Sequence, residues 1–226
     1  MTHHAAAERR ELAETLRRAG PAAPTLCEGW TAADLAAHLV LRGRSPRYAL
    51  ALARDPAAAT RQGRELADRL GYPALIERIE RIGPLSPARI GAADDAVNLI
   101  EYVVHHEDVR RAGGDWVPRA LPADRQAALW RALRVGARTL FRRSLAGLSM
   151  QWAPGPGDAP GPGGLGGAGG PALRGAHPQL WVRGAPVELV LVAWGRTGVA
   201  QVELDGPTEQ VARFRERAAR AGHTAD

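Results

Sequence analysis

Residues 94–114 read Asp94-Asp95-Ala96-Val97-Asn98-Leu99-Ile100-Glu101-Tyr102-Val103-Val104-His105-His106-Glu107-Asp108-Val109-Arg110-Arg111-Ala112-Gly113-Gly114. This stretch reads as the clearest helix of the chain. It opens on two acids and closes on two arginines, a distribution that complements the helix dipole. The Gly113-Gly114 pair supplies the stop. Within it Glu101 and His105 stand four apart, so both side chains share one face, one turn from each other.

Working outward, the same periodicity recurs on both sides. Residues 5–19 carry Leu12 and Leu16 among Glu and Arg, an amphipathic helix ended by Gly20-Pro21. Pro21 to Gly29 is turn-rich. Thr31 with Asp34 three residues later resembles a capping box, Asp standing in for the usual Glu, and opens a helix through Leu35, His38 and Leu39 toward Arg42. Helical stretches follow at 47–54 and 61–70, broken near Asp55-Pro56, and at 74–82. A proline-containing loop spans 83–91. Residues 122–146 form a further amphipathic helix carrying Leu129, Trp130, Leu133, Val135 and Leu140.

Residues 154–171 are Gly, Pro and Ala with one Asp and one Leu, a composition that cannot bury enough apolar surface to order itself. A phosphate-cradling loop is disfavoured, because no Lys-Ser/Thr follows. Beyond it, 180–182, 187–192 and 199–204 read as strands, Asp205-Gly206-Pro207 as a turn, and 208–221 as a closing helix. The expected fold is mainly α: a helical bundle over 1–150, a linker over 151–172, and a small α+β domain over 173–226.

Composition narrows the function classes. The formal charge is +6, and all 30 basic residues are arginines spread along helical faces with acids nearby. That pattern describes solvated helix surfaces rather than a basic stripe with interleaved aromatics, and nucleic-acid binding is not expected. The lysine-free, Ala-, Gly- and Pro-rich composition fits a GC-rich genome. One cysteine, Cys27, excludes an intramolecular disulfide. No apolar run approaches the roughly 20 residues of a membrane span, and the polar N-terminus does not read as a signal peptide. A cytoplasmic protein is expected.

The chemistry concentrates in one constellation. Carboxylate oxygen and imidazole nitrogen are good zinc ligands, and Glu101 with His105 offers two from one rigid element. A third must come from elsewhere. His38, set among the apolar positions of Ala36-Ala37-His38-Leu39, suits it better than His3, His4, His177 or His223, which lie in termini or beside the linker. Three protein ligands leave a fourth position open, the pattern of catalytic zinc. A bland alternative stands beside this: i,i+4 Glu–His pairs are common on solvated helices, and a lone apolar-face histidine is more often a hydrogen-bonded core residue. Several neighbours are candidate helpers. Asp34 could orient His38 or simply cap its helix, and Asp108 could orient His105 or pair with Arg111. Asn98 could hydrogen-bond a ligand or substrate, and Arg196 could reach an anionic substrate. His106 points about 100° away from His105, and Trp30 reads as packing. Cys27 reads by default as a small buried hydrophobe.

The segment Leu26-Cys27-Glu28-Gly29-Trp30-Thr31-Ala32-Ala33-Asp34-Leu35-Ala36-Ala37-His38-Leu39, with the downstream Glu101-x-x-x-His105-x-x-Asp108-Val109, resembles the mycothiol-dependent maleylpyruvate isomerase family of the DinB-like metal-binding superfamily. The resemblance covers roughly residues 5–145, and 173–222 is more weakly similar to the small C-terminal domain often found in that family. It implies a DinB-like four-helix bundle with a divalent metal, usually zinc, on the positions of His38, Glu101 and His105. It also implies mycothiol as thiol cofactor, an actinobacterial source, and a small electrophilic substrate. In an isomerase the thiolate would add to an alkene, permit rotation and leave; in a transferase the adduct would be the product. The alternative is a non-catalytic metal- or thiol-binding protein on the same bundle, as a monomer or homodimer.

Overall fold

The computed structural model describes residues 4–44, 48, 52, 54–81, 91–139, 147–154, 171–175 and 179–222. The expected loop over 83–91 therefore falls almost wholly outside the described residues, as do residues 140–146 and most of the expected linker; of the expected helix over 47–54, residues 48, 52 and 54 are described and are helical. The chain divides into two compact units, Met1–Trp116 and Val117–Asp226.

The first unit is helical: α1 His4–Ala19, α2 Ala32–Arg44, α3 Pro56–Leu70, α4 Tyr72–Glu80 and α5 Gly91–Arg110. α1 packs chiefly on α5, and α2 packs on α3 and α4. Leu12, Leu16, Leu35, Leu75, Ile76 and Val109 are among the apolar side chains that meet in one core. Each fully buried aliphatic side chain contributes about 1.5–3 kcal/mol, enough to override the modest propensity of any single turn.

Local signals set the helix ends. The Thr31–Asp34 capping box forms: the Thr31 amide and hydroxyl donate to Asp34 Oδ2 at 2.9 and 2.8 Å, and the Asp34 amide donates to Thr31 Oγ1 at 3.3 Å. Asp55 caps α3 by accepting from the Ala58 amide at 2.9 Å, with Pro56 in the first turn. At the end of α5, Glu107 holds Arg110 and Arg111 at 2.8 and 2.6 Å, and the Glu107 and Arg111 side chains are completely buried. Arg111 also lies over the Trp116 ring, 4.4 Å from its centroid.

The second unit contains α6 Ala123–Thr139, β1 Leu148–Trp152, β2 Ala172–Leu173, β3 Leu180–Gly184, α7 Pro186–Ala193, β4 Glu203–Asp205 and α8 Thr208–Gly222. The sheet order is β2-β1-β3-β4, with β1 and β3 parallel and both outer pairs antiparallel. α7 packs against α6, β1 and β3.

Four features of this unit differ from the sequence reading. The compact units divide after Trp116, where the sequence reading placed a boundary after 150; α6, with Leu129 and Leu133 fully buried, packs with α7. Strand β1 went unread, and it and β2 flank the expected 151–172 linker, taking residues 151, 152 and 172 from it. Residues 187–192 form a helix, not a strand. A short apolar run has no diagnostic period; Pro186 sets the first turn, and the helix is buried on every side. Residues 199–202 do not join the ladder, because the Gln201 amide donates to the buried Glu188 carboxylate at 2.9 Å instead. Strand β4 begins only at Glu203.

Candidate metal centre

α2 carries His38 on its core side, between Ala37, fully buried, and Leu39, 6% exposed; His38 itself is 4% exposed. α5 carries Glu101 and His105 on one face. The two helices bring three ligand atoms together: His38 Nε2 and His105 Nε2 each lie 3.3 Å from Glu101 Oε1, and all three atoms fall within 4.8 Å of one another. The His38 ring meets His105 edge-on at 5.1 Å between centroids and is walled by Trp30 at 5.2 Å and Tyr48 at 5.6 Å.

Among the described residues two further groups of His, Cys, Asp and Glu could hold an ion: Cys27–His105–Asp108 and Glu8–Glu11–His106. The three differ in their distances. Zinc bonds of about 2.0–2.1 Å place neighbouring tetrahedral ligands roughly 3.3 Å apart. The His38–Glu101–His105 group already shows that spacing on both its measured edges. In the other groups, His105 Nδ1 to Asp108 Oδ2 is 2.9 Å, and His106 Nδ1 to Glu8 Oε1 is 2.7 Å. Those are hydrogen-bond lengths. His106 Nε2 is engaged as well, 2.8 Å from Thr15 Oγ1. These two contacts tie α5 to α1.

The groups behind the candidate ligands bear on the alternatives drawn from sequence. Asp108, fully buried, accepts from His105 Nδ1 and so turns Nε2 toward Glu101; Arg111 pairs with Glu107. Asp34 caps α2 and takes Arg64 at 2.9 Å, with no bond to His38, so its capping role prevails over an orienting one. Asn98 Oδ1 accepts from Arg42 at 2.7 Å. Arg196 belongs to the second unit, where its guanidinium donates to the Trp194 carbonyl at 2.9 Å. Cys27 is more than a small hydrophobe: its thiol donates to Asp108 Oδ2 at 3.2 Å and lies 3.9 Å from His105 Nδ1. The loop that carries it is pinned by the Leu26 amide, which donates to the Asp108 carbonyl at 3.0 Å. His38 differs from His105 in one respect. Its Nδ1 is buried with no hydrogen-bond partner among the described residues.

Arg42 and Tyr48 stand at the site without having been singled out from sequence. Arg42 Nε lies 3.1 Å from Glu101 Oε1, the oxygen that both histidines face. Its position one helical turn after His38 was the available signal.

Electrostatics follow from this packing. Burial, with the nearby His105 and Arg42 charges, pushes the His38 imidazole down against the opposing pull of Glu101. Burial alone would raise the Glu101 carboxyl; hydrogen bonds from His105 and His38, with the Arg42 charge, reverse this and hold it well below the usual carboxylate range. Burial likewise opposes charge on His105, but Asp108, Cys27 and Glu101 outweigh it and raise the imidazole well above its ordinary value. A doubly protonated His105 would donate from Nδ1 to Asp108 and from Nε2 toward Glu101.

Comparison with protein-family models, with curated proteins and with solved structures returns no match. No helix among the described residues is long and apolar enough to cross a membrane.

Proposed function

We propose that the first unit binds a divalent metal ion, zinc by ligand type, through His38, Glu101 and His105, and uses it with a small thiol such as mycothiol in isomerisation of, or thiol transfer to, a small electrophile. The supporting observation is the convergence of ligand atoms from α2 and α5 at tetrahedral spacing, 63 residues apart in the chain. The donor set fits zinc, and the Asp108–His105 pair is the carboxylate–histidine arrangement that orients such ligands. When bound, the ion would hold a thiol as its thiolate, the nucleophilic form.

The chain's own residues prepare the site. Asp108 fixes the His105 tautomer. Trp30 and Tyr48 cover His38 on its apolar side. Glu101 and Arg42, with side chains 17% and 22% exposed, form the part open to water, from which a thiol can enter.

Native mass spectrometry after chelator-free purification tests the metal: one zinc per chain in wild type and none in His38→Ala is the expected result, and a metal-free wild type overturns the reading. Thiol-dependent turnover across a panel of activated alkenes separates an enzyme from a non-catalytic metal protein on the same scaffold.

A further inference from the structure

Arg42 stands where a cation would be least welcome to a metal ion. Its Nε approaches the same Glu101 oxygen that both histidines face, at 3.1 Å, and its Nη1 donates to Asn98 Oδ1 at 2.7 Å. Asn98 lies one turn before Glu101 on α5, so the guanidinium is braced along that helix against the candidate ligand. An arginine carries a permanent positive charge. A residue selected only to strengthen a metal site would not be a cation in contact with its sole anionic ligand.

We infer that Arg42, braced by Asn98, is a charge-setting residue: it weakens metal binding at His38–Glu101–His105 and in exchange strengthens binding of an anionic fourth ligand, the thiolate. This rests on the metal reading above and adds to it the charge of the ligand that the open position selects. The reasoning is electrostatic. A divalent ion ligated by neutral histidines and one carboxylate, with Asp108 behind His105, makes a neutral group. Arg42 raises it to a net single positive charge, and a thiolate then restores neutrality. Without Arg42, the same thiolate would leave uncompensated negative charge in a site where His38 is 4% and His105 8% exposed, an environment that penalises unbalanced charge. The partial exposure of Arg42 moderates both effects through solvent screening.

The test uses the full-length protein and two readouts, neither of them turnover. Zinc affinity is measured by competition with a chromophoric chelator. Thiolate affinity is measured by titrating the cobalt-substituted protein with 2-mercaptoethanol and following sulfur-to-cobalt charge-transfer absorption. Arg42→Met is expected to bind zinc about tenfold more tightly and 2-mercaptoethanol about tenfold more weakly, the size of a partly screened unit charge at contact distance. Arg42→Lys, which keeps the charge, is expected to stay within about threefold of wild type on both, the margin that a partly screened exposed charge leaves. Asn98→Ala, which removes the brace and not the charge, is expected to shift both in the direction of Arg42→Met by a smaller factor. Arg42→Met with weaker or unchanged zinc binding, or with unchanged thiol binding, overturns the inference and leaves the metal reading standing. A wild type that binds neither zinc nor cobalt overturns both.

Discussion

His105 donates from Nδ1 to Asp108 Oδ2 at 2.9 Å while its Nε2 lies 3.3 Å from Glu101 Oε1, so one imidazole links a fully buried carboxylate to the candidate metal position. Binding a metal at the His38–Glu101–His105 position requires the tautomer with the proton on Nδ1. Replacing Asp108 by Asn removes the negative charge that stabilises this arrangement. Zinc affinity is expected to fall by about 10–100-fold, the usual cost of losing such an outer partner. Chelator competition measures it, with retention of the helical circular dichroism spectrum as the control for folding. Unchanged affinity would place the metal elsewhere.

The same linkage gives a pH dependence with a defined sign. In the metal-free protein, His105 is raised above its ordinary value of 6.5 by Asp108, Cys27 and Glu101, against burial, the largest single influence on it. Its stabilising contribution is therefore complete below pH 6.5 and is lost as pH rises through the raised value. Glu101 runs the other way: its contribution is present above 4.5 and is lost as pH falls through its lowered value. A metal must displace the His105 proton. Zinc binding at neutral pH is expected to release a proton and to strengthen with rising pH until His105 is deprotonated without it. Calorimetry in two buffers of different ionisation enthalpy counts that proton, and a count of zero contradicts the assignment of His105.

His106 separates the metal role from the structural one. It follows His105 directly, yet it binds Glu8 at 2.7 Å and Thr15 at 2.8 Å on α1. His106→Ala is expected to keep its zinc while losing about 2–3 kcal/mol of stability, the cost of removing a buried partner from a charged group. Thermal denaturation of the zinc-loaded and zinc-free proteins reads both effects. Loss of zinc from this variant, with the fold intact, would move the metal to the Glu8–Glu11–His106 group.

Much of the first unit was legible in sequence because its signals are local. Leu12 and Leu16 recur at helical spacing, Thr31 and Asp34 cap each other within one turn, and Gly20-Pro21 stops a helix wherever it occurs. The second unit resisted because its cues depend on partners. Val187 to Val192 has no period to distinguish strand from helix, and burial on all sides selected the helix. Residues 199–202 alternate like a strand, but a side-chain bond to Glu188 occupies the Gln201 amide that a ladder would use.

The site divides along the same line. Sequence by itself determined that Glu101 and His105 share a helix face, since 3.6 residues per turn places i and i+4 together whatever surrounds them. It also marked His38 as a histidine among apolar neighbours. Only the tertiary structure decided that His38 lies 3.3 Å from Glu101 Oε1, that Asp108 accepts from His105, that Cys27 joins Asp108 across 81 residues, and that Arg42 closes on Glu101. The reason is physical: a contact between distant segments follows from how whole helices pack, and packing depends on every side chain in the core, whereas a turn of helix depends on a handful of neighbours.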